Sequence, residues 1–217
     1  MAPESNRQCA APRRRWRGPQ RRIGLTGGIA TGKSTVAAML SDRHGLPVLD
    51  ADVYARQLLT PGTAVSRAVL DRYGLQVQTP SGGLDRPALG RIVFARPTER
   101  RWLEALTHPL VKDAFTRDLA RHHRGATVVL VAPLLLEAGL ETLCSEVWLV
   151  DLDEATQLAR LLARDPLSPH EARQRIRAQW PLARKRGLAD VILRNHSDRG
   201  ALARQVAMAC SARATAT

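Results

Sequence analysis

Gly27-Gly28-Ile29-Ala30-Thr31-Gly32-Lys33-Ser34 is a full instance of the spacing Gly-x-x-x-x-Gly-Lys-[Ser/Thr]. Each part has a chemical use. Glycines let the backbone turn so that the amides between Gly28 and Thr35 face inward on a phosphate group. Lys33 is a point charge on a long stem that reaches β- and γ-phosphates, and the Ser34 hydroxyl can ligate the accompanying Mg²⁺. A helix starting near Gly32 adds the positive end of its dipole. The spacing therefore points to a nucleoside triphosphate site. Composition sharpens the reading: of 33 basic residues only Lys33, Lys112 and Lys185 are lysines, and one of them falls where the pattern demands it.

The loop alone does not say whether the γ-phosphate goes to water or to a second substrate. The Asn-Lys-x-Asp base-reading motif of a GTPase is absent, and the apolar run 127–132 ends at Pro133 with no acid to anchor a metal. The acids left to serve are Asp50 and Asp52. Asp52 and Arg56 are four residues apart and share a helix face. The carboxylate can accept the proton of an attacking hydroxyl while Arg56 holds an anionic acceptor. A plainer reading makes Asp50 or Asp52 a helix cap, with Arg56 as its ion-pair partner. Arg160 and Arg164 repeat the four-residue spacing, and either close over the phosphates or line a solvated basic helix face.

The elements that must position these groups are readable as apolar runs. Residues 22–26, 47–50, 127–132, 147–150 and 191–193 are short and near-continuously apolar, as parallel strands covered on both faces are. Helical patterns lie between them, the first over 33–43. The fold class is therefore α/β, a three-layer core around a parallel five-stranded sheet. The stretch 52–124 holds more helical pattern than one crossover needs, with segments over 86–95, 98–107 and 110–122. It is broken at Pro61-Gly62, 80–83 and His108-Pro109. This surplus predicts a helical insert over the carboxyl edge of the sheet, where α/β proteins bind ligands. A second helical stretch over 154–186, interrupted at 165–169, predicts a helix-pair lid.

With 217 residues, 44% hydrophobic and 24% charged, the chain has the composition of an ordinary globular protein. No run of about 18 apolar residues predicts a membrane span. Cys9, Cys144 and Cys210 are too few and too scattered for a disulfide framework or a thiolate zinc site, which suits a reducing, cytoplasmic setting. The net charge of +13 suits a handler of polyphosphates or nucleic acid. Part of it lies in residues 1–21, where prolines and arginines surround Trp16. That segment reads as a disordered basic tail that is not expected to carry the function. A nucleic-acid-binding NTPase is the alternative from a different class, but the chain has no basic strand interleaved with aromatic residues.

Taken together, several pieces resemble the dephospho-CoA kinases, which phosphorylate the ribose 3′-hydroxyl of dephospho-CoA with ATP. They are the run 23–29 with its loop, 49–56, Pro61-Gly62, 84–86, Val93-Phe94, His108-Pro109, 133–137, 157–164, 175–179, Lys185 and Ala189-Asp190. The resemblance covers about residues 22–210 and rests on the order and spacing of these pieces. It implies a P-loop kinase core over 22–51 and 125–213, a helical acceptor-binding insert over about 52–124 and the lid. It also implies ATP and dephospho-CoA as substrates, Mg²⁺ as cofactor and the last step of coenzyme A biosynthesis, in a monomer with no obligate nucleic-acid or membrane partner. A P-loop kinase for another nucleotide or small metabolite is the alternative acceptor reading.

Residue by residue, the resemblance carries over Asp52 as catalytic base, Arg56 as part of the acceptor site and Asp50 as a second acid toward Mg²⁺. Lys33, Arg160 and Arg164 would serve the phosphates. His108 and Glu137 would shape the acceptor pocket, although His108 reads equally as a residue that caps a helix. Gln179 and Lys185 match family positions without a defined role. Ala30 and Thr31 depart from the family's commoner glycine and serine, and Ala30 calls for an ordinary backbone angle.

Overall fold

Five short strands answer to the five apolar runs: β1 (Arg21–Gly27), β2 (Val48–Asp50), β3 (Thr127–Val131), β4 (Glu146–Asp151) and β5 (Val191–Arg194). They appear in a computed structural model that describes residues 15–212. All neighbours are parallel, in the order β2-β3-β1-β4-β5. Side chains alternate across the sheet, and both faces are covered. Ile23, Leu25, Val129 and Val131 pack on one face against Val36 and Leu40 of α1 (Lys33–His44) and Leu202 and Val206 of α9 (Arg199–Ser211). Val128, Leu130 and Val147 pack on the other against Val111, Phe115 and Leu119 of α5 (Pro97–Ala120). Two buried faces explain why these strands read as continuous apolar runs instead of alternating ones.

The stretch between β2 and β3 holds α2 (Ala51–Leu58), α3 (Ala64–Tyr73), α4 (Arg86–Ala95) and α5. Val65, Val69, Val77, Ala88, Leu89 and Val93 form a separate small core here, with Trp102, Leu103 and Leu106 of α5 packed on it. One expectation fails in this region. His108-Pro109 does not separate two helices, because α5 runs through it for 24 residues. Proline removes one backbone donor and crowds the preceding turn. The two halves of α5 are nevertheless anchored in different cores, the first in the insert and the second against the sheet, and that packing carries the helix across the defect.

The stretch over 154–186 is α6 (Glu154–Arg164), α7 (Pro169–Arg177) and α8 (Leu182–Arg186), with α7 packed against both α6 and α4. At the other end, the boundary of the basic tail moves. Residues 1–14 lie outside the described residues, but 15–21 belong to the packed body. The Trp16 amide donates to the Cys144 carbonyl at 3.0 Å, Gln20 is buried, and β1 already begins at Arg21.

Candidate active site

The loop 27–34 joins β1 to α1 at the carboxyl edge of the sheet. Its shape follows from a few forced positions. Gly32 opens α1 at φ 96, and a Cβ there would lie 2.4 Å from Asn195 Nδ2, so only glycine fits. Asn195 Nδ2 donates to the Thr31 carbonyl at 2.8 Å, and Thr31 Oγ1 donates to the Gly28 carbonyl at 2.9 Å. Ala30 has φ 59, not the ordinary angle expected of it. Holding a Cβ in the left-handed region costs about 1–2 kcal/mol. The hydrogen bonds on either side impose that conformation.

α1 also differs from most helices around it. Asp50, Thr63, Asp85, Asp153, Ser168 and Asp198 each cap a helix with a side-chain acceptor, whereas α1 starts on Gly32 with no side-chain cap. Its first amides are therefore left for an external anion, at the positive end of the dipole. Ser34 is exposed at this start and Thr35 is half-buried. Lys33 Nζ donates to the carbonyls of Gly28 at 2.7 Å and Gly27 at 3.2 Å. Burial, and next the nearby Lys185 charge, push the Lys33 pKa down to about 8, while Asp52 and Asp50 pull it upward.

Those two aspartates lie at the end of β2. Asp50 Oδ1 accepts the Asp52 amide at 2.8 Å, so Asp50 is the N-cap of α2, as the plainer reading held. Asp52 is not the cap. Solvent reaches its carboxyl, yet the protein around it desolvates it enough to raise its pKa. Asp50 raises it further, while Lys33 and Arg56 oppose both. The structure thus brings Asp52, Lys33 and Arg56 into one electrostatic neighbourhood. Arg56 remains exposed on α2.

The other expected residues divide. Glu137 Oε1 accepts from Lys185 Nζ at 2.8 Å and from the Trp180 amide at 2.9 Å, while its buried Oε2 has no partner. His108 lies in the middle of α5 and so caps nothing. Its pKa is lowered by burial, against an upward pull from the Glu137 charge. Glu104, one turn earlier, feels Glu137 as well. Arg160 Nη2 donates to the Asn195 carbonyl at 3.2 Å, which places it one residue from the loop clasp. Arg164 instead forms a two-pronged pair with Asp165, at 2.9 and 3.0 Å, and its side chain remains exposed.

Lys185 is a site residue whose role sequence reasoning left blank. Its side chain is wholly buried and donates to the Pro133 carbonyl at 2.9 Å in addition to its pair with Glu137. A scarce lysine in an arginine-rich chain was a usable signal. Gln157 entered only as the start of the run 157–164, and Asn195 gave no signal.

An open groove of about 520 Å³ lies between α2 and α5, lined by Tyr54, Gln57, Leu58, Leu110, Asp113 and Arg117 among others, with no loop residue. A smaller recess of about 230 Å³ adjoins Gly28 beneath Gln179 and Trp180. Pocket size thus does not locate the chemistry, whereas the loop and its charges do.

Comparison with known proteins agrees with this fold. The family described as dephospho-CoA kinase matches residues 21–200. The dephospho-CoA kinase of Synechococcus sp. (strain CC9605) is 57% identical over 183 residues, covering 84% of this chain and 88% of the relative. That of Prochlorococcus marinus (strain MIT 9313) is 51% identical over 203 residues, covering 92% and 100%. Among solved structures, TT1252 from Thermus thermophilus superposes with a TM-score of 0.73 at 35% identity, covering 89% of this chain and 98% of that one. A dephospho-CoA kinase from Campylobacter jejuni gives 0.62 at 23% identity, over 88% and 96%, which speaks for the fold alone. With a match over most of its length and relatives above half identity, the chain belongs to the dephospho-CoA kinase family.

Proposed function

We infer that this chain transfers the γ-phosphoryl group of ATP to the ribose 3′-hydroxyl of dephospho-CoA, giving CoA and ADP. The observation that carries the reading is the meeting of two halves at one sheet edge: an uncapped helix start with Lys33 on one side, and the raised-pKa carboxylate of Asp52 on the other. The amides from Gly28 to Thr35 and Lys33 hold the phosphates. Asp52, whose ionised form Lys33 and Arg56 favour against its desolvation, orients the acceptor hydroxyl and takes its proton as the O–P bond forms. Arg56 offers its guanidinium to an anionic group of the acceptor.

His108 and Glu137 wall the acceptor side from the insert and from the turn after β3. The unpartnered Glu137 Oε2 is a ready acceptor for a substrate hydroxyl or amide. Arg160, beside the loop clasp, neutralises charge on the moving group, and Arg164 joins it when it exchanges Asp165 for phosphate oxygens.

The residues fit Mg²⁺. The exposed Ser34 hydroxyl and the Asp50 carboxylate are hard oxygen donors, and no cluster of three or more His, Cys, Asp or Glu occurs among the described residues. Such a sparse oxygen set suits an ion completed by phosphate oxygens and water. When bound, the ion neutralises charge on the β- and γ-phosphates.

The test is ADP release from Mg-ATP with dephospho-CoA, AMP, adenosine, shikimate or no acceptor. ADP formed only with dephospho-CoA, with CoA as the second product, is expected. Equal release without acceptor makes the chain an NTPase, and turnover on shikimate or AMP alone overturns the acceptor assignment.

A further inference from the structure

The lid leaves the sheet through α6 and returns through α7, and both roots hold the same loop residue. Gln157, in the first turn of α6 and only 3% exposed, donates from Nε2 to the Ile29 carbonyl at 2.7 Å. Gln179, two residues beyond α7, accepts the Ile29 amide at Oε1 at 2.8 Å. The fit has no slack, since a Cβ on Gly28 would lie 2.3 Å from Gln157 Nε2. The returning root is tied once more, because the Trp180 amide donates to Glu137 in the turn that follows β3. Beyond the roots, Arg175 of α7 lies over the ring of Phe94 in α4 at 5.0 Å, so the lid also rests on the insert.

We propose that Gln157 and Gln179 are positioning residues that make Ile29 the pivot of the lid and preset the phosphate loop for ATP. The amide and carbonyl of Ile29 belong to successive peptide planes, and fixing both sets the bend from which the following amides are aimed. Ala30 comes next, in its left-handed conformation. A strained residue persists only where its surroundings over-determine it, and the two glutamines supply that constraint. Neither side chain needs to touch a substrate. The proposal rests on the reading of 27–35 as the ATP phosphate site.

The amide orientations give a test that a purely structural role does not pass. Gln179 works as an acceptor, so Gln179→Glu keeps the contact and Gln179→Ala removes it. Gln157 works as a donor, so Gln157→Glu sets a carboxylate against a carbonyl and restores nothing. Steady-state kinetics of the full chain, with Tm measured alongside, should show KM for ATP raised about tenfold in Gln179→Ala, as expected for one lost hydrogen bond at a site of uniform binding. KM for dephospho-CoA should be unchanged, Gln179→Glu should be close to wild type, and Gln157→Glu should be impaired like an alanine.

An unchanged KM for ATP in Gln179→Ala overturns the proposal. So does a Gln179→Glu variant as impaired as the alanine, or a fall in Tm with both KM values unmoved. If Gln179→Ala does not fold, Gln179→Met against Gln179→Glu carries the same contrast. Lys33→Ala is run in parallel. If it too turns over normally, the loop reading has failed; if it is inactive while Gln179→Ala is normal, only the pivot has.

Discussion

The donor and acceptor sides of the cleft are held by different means. On the donor side, Thr31, Gln157 and Asn195 are all buried, and their hydrogen bonds leave the loop one shape. On the acceptor side, Asp52 and Arg56 lie on α2, a helix of eight residues with none of them buried, started by a single cap bond from Asp50. Buried hydrogen bonds are costly to break singly, because the partner left behind is stranded without water. Exposed helix positions tolerate change. The loop side is therefore held in one shape, while the α2 side can be retuned with little loss of fold.

The sharpest way to break this contrast is Lys33→Ala, which should lower kcat/KM by about a thousandfold or more with Tm preserved. A variant within tenfold of wild type would remove the lysine from the chemistry. Next comes Glu137→Ala, which strands the wholly buried ammonium of Lys185 and should lower stability by about 3–5 kcal/mol, read by denaturant unfolding. A loss under about 1 kcal/mol would mean that Lys185 finds another partner or loses its proton. Asp52→Asn should keep Tm and lower kcat by about a hundredfold, the contribution of a general base. Near-normal turnover would assign the proton to another acid.

The pH profile sharpens the contrast further. Asp52 must be ionised to accept a proton and its pKa is raised, so the acid limb of kcat/KM should lie above the ordinary carboxylate range and vanish in Asp52→Asn. Lys33 must be protonated to hold phosphate, so kcat/KM for ATP should fall about tenfold per unit above pH 8. Linkage gives the opposite sign for stability. The folded pKa of Lys33 is below the unfolded value of 10.5, so folding disfavours its charged form, and its unfavourable contribution fades as pH rises from about 8 toward 10.5. The smallest effect belongs to Ala30→Gly, which relieves the left-handed strain and should change stability by less than about 1 kcal/mol in the favourable direction.

How much of this was legible in the sequence also follows the two sides. The loop, the five strands and Asp52 with Arg56 are local patterns, and local patterns survive in a linear string. His108-Pro109 misled because proline is a local signal, whereas what keeps α5 continuous is packing of its two halves in different cores. Lys185 and Glu137 are 48 residues apart, and Gln179 and Ile29 are 150 apart. No spacing rule connects such pairs. Ala30 looked innocuous because its strain is imposed by neighbours, not by its own side chain. Residues 15–21 looked like tail because their composition is basic, yet Trp16 and Gln20 find partners more than ninety residues away.

The position of β1 in the sheet has a consequence for synthesis. β1 pairs with β3 from Thr127 and with β4 from Glu146, so both of its neighbours lie more than a hundred residues downstream. At about 5–20 residues per second, the phosphate motif leaves the ribosome roughly ten seconds before its flanking strands exist. The small core between Val65 and Leu106 needs no such wait, since all its members are near in sequence. The helical insert can therefore condense first and the nucleotide half last, and a chain halted before Glu146 carries every residue of the motif with β1 left as an edge strand, lacking β4 and β5.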